Sequence, residues 1–153
     1  MDGITADGLG TIFEDALIEV VAISSGLRLD VSQAVQSSGF GDIIGVMSLN
    51  SSRSGLLFLS ANEHDLRTIC TAMTAVPEDI IEAEDLWDAL SELLNMTAGN
   101  ARLRLNGTEF MFALTTPFII TGSDMSIISK TRSTVISREL GNGDISITLK
   151  IAY

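Results

Sequence analysis

The chain has 153 residues and a mass of 16.3 kDa, and 46% of its residues are hydrophobic, which suits one folded domain with a sizeable core and excludes disorder. Twenty acidic against nine basic side chains leave a formal net charge of −11. Phosphate backbones and anionic lipid surfaces are bound through lysine and arginine, so this balance excludes nucleic acid and membranes as partners.

Apolar runs long enough to span a bilayer are absent, and Glu14, Asp15 and Glu19 interrupt the first candidate helix. The opening Met-Asp-Gly-Ile-Thr-Ala-Asp lacks the basic region of a signal peptide, so a cytoplasmic protein is expected. From Gly10 to Gly26 the residues Ile12, Phe13, Ala16, Leu17, Val20, Val21 and Ile23 recur at three- and four-residue spacing. That spacing predicts an amphipathic helix stopped by Gly26. Residues 27–36 alternate weakly and predict a strand. Residues 43–49 and 55–59 are strand-like runs around Asn50-Ser51-Ser52-Arg53-Ser54, the pattern of a β-hairpin. Gly39-Phe40-Gly41 neither follows a strand nor opens a helix, so it is not a dinucleotide-binding turn.

A second helix is expected after Ser60 or Asn62, either of which is a suitable N-cap. Cys70, the single cysteine, lies in its apolar stretch as a small buried hydrophobe and has no partner for an internal disulfide. His64 is flanked by Glu63 and Asp65 at the helix start, where acids complement the dipole. It is the only histidine, so no metal site is expected.

An acidic connection over residues 75–83 leads to a third helix from about Glu84 to about Leu103. Leu86, Trp87, Ala89, Leu90, Leu93, Leu94, Met96, Ala98, Ala101 and Leu103 form its expected buried band. Asp85, Asp88, Glu92, Asn95, Gly99 and Arg102 form the opposite polar stripe. Glu92 and Asn95, at i and i+3, project to the same side from successive turns. Packing needs neither of them. Asparagine and glycine are both poor helix formers, and Gly99 costs roughly 1 kcal/mol relative to alanine. Close approach of a partner would account for that glycine.

Beyond Asn106-Gly107 the chain is β-rich, with strands expected at Glu109–Leu114 and Pro117–Ile120 and a hairpin of Thr131–Glu139 and Asp144–Ile151. Leu140-Gly141-Asn142-Gly143 supplies its turn. The Asn-X-Ser/Thr triplets at Asn50, Asn95 and Asn106 carry no meaning in a cytoplasmic protein.

Two segments resemble each other. Asp15 to Gly26 aligns with Asp88 to Gly99, so that Asp, Ala, Leu, Glu and Gly coincide. Helical patterning alone forces several of the apolar agreements. As a repeat, the alignment predicts an α+β domain over 1–153 in which two helix-plus-strands halves share a core, their long helices packed on a largely antiparallel sheet. Ala22 stands in the first copy where Asn95 stands in the second.

Glu92-X-X-Asn95 on a helix, followed by Ala98-Gly99-Asn100-Ala101, resembles the CheC/CheX/FliY family of response-regulator phosphatases. The Phe13-X-X-Ala16 helix, the hairpin around residues 43–59 and Thr116-Pro117-Phe118-Ile119-Ile120-Thr121-Gly122 extend the likeness over nearly the whole chain. A single Glu-X-X-Asn in the later helix is most similar to the CheX branch. CheC carries a pair in both helices, and Glu19-X-X-Ala22 departs from that pattern.

The resemblance implies a chemotaxis protein that removes phosphate from the aspartyl-phosphate of a CheY-like regulator. Asn95 would orient the attacking water, and Glu92 would contact the regulator's active-site lysine. Mg²⁺ would be held by the regulator, with no cofactor on this chain. The resemblance also implies a homodimer joined through strands. The sparsely charged run Ile145–Leu149, poorly suited to protect a sheet edge, points the same way. The alternative is a non-catalytic module of the same fold that binds a regulator or a flagellar-switch component. A small-molecule enzyme is disfavoured by the lack of Ser-His-Asp, Cys-His or metal-ligand sets.

Overall fold

The structure, a computed structural model, describes residues 3–32, 39–128, 130 and 133–153. Helix α1 spans Ala6–Ser25, beginning earlier than its apolar periodicity because Thr5 caps it through a hydrogen bond from the Gly8 amide to Thr5 Oγ1 (3.0 Å). It ends where expected, at Gly26, whose left-handed φ of 74° lets its amide reach back to the Ala22 carbonyl. Helix α2 (Glu63–Thr74) is capped by Asn62, whose Oδ1 accepts the Asp65 amide at 2.8 Å.

Helix α3 spans Ala83–Arg104. Its start is fixed by a reciprocal box in which the Glu82 amide donates to Asp85 Oδ2 (2.8 Å) and the Glu82 side chain accepts from the Asp85 backbone. Glu84 and Asp85 in the first turn and Arg102 and Arg104 in the last complement its dipole.

The strands are β1 (Asp30–Ser32), β2 (Ile43–Leu49), β3 (Gly55–Ala61), β4 (Phe118–Thr121), β5 (Val135–Gly141) and β6 (Ser146–Ala152). They form one sheet in the order β1-β5-β6-β3-β2-β4, with every pairing antiparallel. Exchanging β1 with β4, β2 with β5 and β3 with β6 turns this order into its own reverse. The halves α1-β1-β2-β3 and α3-β4-β5-β6 are therefore related by a pseudo-twofold axis between β3 and β6, as the internal repeat predicts.

All three helices cover one face of the sheet, and the main core lies between the layers. Phe13, Leu17 and Val20 from α1 and Leu86, Leu90, Leu93 and Leu94 from α3 meet Met47, Leu57, Leu59, Leu149 and Ile151 from the strands. Gly45 on β2 permits the close approach of α3: a Cβ there would stand 3.2–3.3 Å from Leu94 and Leu90 side-chain carbons. A smaller cluster of Ile44, Val46 and Phe58 lies on the outer face under Phe40 and Met125. Phe110 and Tyr153 stack edge to face, and Phe13 and Phe112 stack at 6.0 Å, closing one end.

Several expectations are corrected. Residues 109–114 form no strand, and only Ala113 bridges to Asn50. The alternation there is real, with Phe110 and Phe112 buried and Met111 exposed, but it plugs a core rather than pairing along a ladder. The strand expected over 27–36 is three residues long as described, and 33–38 lie outside the described residues. The last hairpin turns at Asn142–Ile145, two residues later than expected, because Asn142 Oδ1 accepts the amides of Asp144 and Ile145 (3.0 and 3.1 Å). Of the first strand of that hairpin, Thr131 and Arg132 are not described, and the ladder begins at Val135. β6, which carries most of Ile145–Leu149, is an inner strand between β5 and β3, so it exposes no edge. Trp87, Leu103 and Ile23 fall outside the buried bands assigned to them, at 38%, 80% and 71% exposure, since each lies off the arc facing the sheet.

Candidate functional site

The polar stripe of α3 is where the sequence places it. Asp85, Asp88, Glu92, Asn95 and Arg102 are exposed along the side turned away from the core. Eight buried positions on the other side, from Leu86 to Ala101, hold the helix against the sheet and α1. Glu92 and Asn95 therefore project from a rigid element with both side chains open to solvent. Neither makes a hydrogen bond or ion pair within the described residues. A carboxylate and a carboxamide stand uncommitted, one acceptor-only and the other donor and acceptor.

Gly99 lies one turn beyond Asn95, and a Cβ built there meets nothing within 4 Å. No neighbour among the described residues demands the glycine, so its helix cost has no reason within them. Leu103 stands on the same side three turns beyond Glu92, 80% exposed. Asp85, read in the sequence as part of the stripe, has a second task there as a cap residue. The Glu82–Asp85 spacing was the available signal for it.

The equivalent place on α1 is built differently. Ala22 is exposed and carries no amide. Glu19, the counterpart of Glu92, is taken up by Arg104 at the end of α3, with Nη2 2.5 Å from Glu19 Oε2. Arg104 also lies 3.9 Å from Asp15 and donates from Nε to Asn100 Oδ1 at 2.8 Å. The first copy has become a helix–helix fastening, which sequence reading missed because Arg104 is 85 residues away from Glu19.

Other sequence candidates have structural explanations. Cys70 is fully buried beside the Asp85 carbonyl (3.6 Å), and burial pushes its thiol pKa up. His64 Nδ1 faces Asp65 Oδ1 at 3.2 Å, while Asp65 Oδ2 accepts the Ser146 amide at 3.0 Å. Among the described residues no three His, Cys, Asp or Glu side chains gather into a metal cage. Among the described residues no helix is long and apolar enough to cross a membrane.

Residues 43–140 match the family described as chemotaxis phosphatase CheX, which is more than half of the chain. The chain belongs to the CheX family. No curated protein matches it in sequence. Among solved structures, the chemotaxis protein CheX of Vibrio vulnificus superposes with a TM-score of 0.81 at 20% identity, covering 94% of this chain and 97% of that one. CheX of Desulfovibrio desulfuricans gives a TM-score of 0.79 at 23% identity, with coverage of 94% and 97%. A CheX of Borrelia burgdorferi, solved in complex with CheY, BeF₃ and Mg²⁺, gives 0.77 at 21% identity, with coverage of 93% and 95%. The chain thus has the CheX fold over nearly its whole length and is a chemotaxis protein by family.

Proposed function

We propose that this CheX-family chain dephosphorylates the aspartyl-phosphate of a CheY-like response regulator, with Asn95 orienting the water and Glu92 docking on the regulator's active-site lysine. The observation that carries the reading is the contrast between the two halves. Glu92 and Asn95 are exposed and uncommitted, whereas Glu19 is bound to Arg104 and its neighbour is Ala22. The CheX–CheY complex from Borrelia burgdorferi adds a precedent for the class of partner.

The reaction asks little of this chain. Water oxygen attacks phosphorus, the P–O bond to the aspartyl carboxylate breaks with its electron pair staying on that carboxylate, and inorganic phosphate leaves carrying the water's oxygen and protons. Mg²⁺ on the regulator would neutralise charge on the phosphoryl oxygens. The missing element is a water held in line. The Asn95 amide can accept from that water and donate to a phosphoryl oxygen, which converts a random encounter into a positioned one. A carboxylate there would repel the phosphoryl group, so an amide beside Glu92 is the sensible pair.

The test is phosphate release from a phosphorylated CheY-like regulator with Mg²⁺, with and without the chain. Acceleration that disappears in Asn95→Ala supports the mechanism. Full activity in Asn95→Ala would leave a non-catalytic regulator-binding module as the better reading.

A homodimer is the second part of the proposal. On the sheet face away from the helices, Leu56, Phe118, Ile120 and Val135 are 39–54% exposed. Phe118 and Ile120 lie on β4, an edge strand of only four residues. A second copy covering this face would bury them and leave the Glu92–Asn95 stripe free. Light scattering should give twice 16.3 kDa, and Phe118→Asp should shift the mass toward the monomer.

A further inference from the structure

A cleft of about 330 Å³ opens beside Glu92, between the C-terminal end of α2 and the first half of α3. Its walls are of two kinds. Met73, Val76 and Ala89 make an apolar floor, and Asp85, Asp88 and Glu92 make an acidic rim. Asp88 and Glu92 have no ion-pair partner within the described residues. Met73 and Thr74, at the end of α2, line the same space, and no basic residue in its last turn offsets the negative end of the dipole. An apolar floor under a negative rim suits a long basic side chain, whose methylene stem lies on hydrocarbon while its charged head reaches carboxylate.

We propose that this cleft seats a lysine or arginine of the partner protein, a second basic side chain beside the one met by Glu92. The inference rests on the reading of the chain as a regulator-binding protein and extends its docking surface from the helix face onto α2. The cleft is continuous with the candidate site through Glu92, so one partner can occupy both. It also separates two jobs on α3: Asn95 acts on the water, while Asp88 and the floor hold the partner in register. Asp88 is thus a positioning residue.

The experiment measures the Kd for a CheY-like regulator held in its activated form by BeF₃⁻ and Mg²⁺, alongside KM and kcat for the phosphorylated form. Asp88→Lys should raise Kd about tenfold or more and Asp88→Asn about threefold, with the effect carried by KM. Asp144→Lys, the same change of charge on the β5–β6 turn, should leave Kd within about twofold. Reversing the charge of one regulator lysine or arginine should restore binding to Asp88→Lys. Equal affinities for Asp88→Lys and Asp144→Lys, with the parent binding normally, would overturn the cleft assignment and leave the phosphatase reading standing. A parent chain that binds no activated regulator would overturn both.

Discussion

Ala22 and Asn95 hold equivalent places in a twofold pattern, and one carboxamide separates them. Under the proposed mechanism Asn95→Ala should lower kcat by about 100-fold, the scale of losing a positioned reactant, with little change in Kd. Asn95→Asp is the sharper variant. It keeps the side chain's shape but places negative charge against the phosphoryl oxygens, so its kcat should be no better than that of alanine. Glu92→Ala should raise KM as well as lower turnover. Both positions are exposed on the helix, so thermal melts of the three variants should stay close to the parent.

Helix α3 carries the whole candidate site, and its stability margin can be read from two residues. Gly99→Ala introduces a Cβ that meets nothing, so the isolated chain should gain up to about 1 kcal/mol, visible as a higher Tm. If partner approach is the reason for the glycine, a bulkier Gly99→Leu should weaken regulator binding without unfolding the chain. Arg104 ties the end of α3 to α1 through Glu19, an ion pair whose partners are 37% and 48% exposed. Glu19→Gln should therefore cost less than about 1 kcal/mol in urea titration and leave phosphate release unchanged. Loss of activity in Glu19→Gln would mean that the first copy still takes part.

Across the whole molecule, the outer face of the sheet hides a group whose titration reports on folding. Lys150 is fully buried on β6, with Nζ 4.6 Å from the centre of the Phe40 ring. Burial lowers its pKa below the ordinary 10.5. Between the lowered folded value and 10.5 the unfolded chain holds more proton, so folding stability must rise with pH across that interval. Urea midpoints taken from neutral pH upward should climb in the parent relative to Lys150→Met, which lacks the titrating amine. A parallel course of the two curves would show that the lysine reaches solvent in the folded state.

Residues that repeat with a helical period needed no tertiary knowledge. The α3 stripe, a cap at Ser60 or Asn62, the Gly26 stop and the hairpin around 43–59 follow from local chemistry, because 3.6-residue and 2-residue periods and cap geometry act within a few positions. The correspondence of Asp15–Gly26 with Asp88–Gly99 reached further and implied the twofold halves. The order β1-β5-β6-β3-β2-β4 was out of reach, since strand neighbours are chosen by packing between segments as far apart in sequence as Asp30 and Gly141, and antiparallel alternation is silent on who sits beside whom. For the same reason Ile145–Leu149 was read as an edge, and residues 109–114 as a strand. In the site, the residue types and their spacing picked out Glu92 and Asn95. That Glu19 is consumed by Arg104, and that the tail of α2 opens a cleft beside Asp88, depend on helices meeting across the core, which only the packed chain decides.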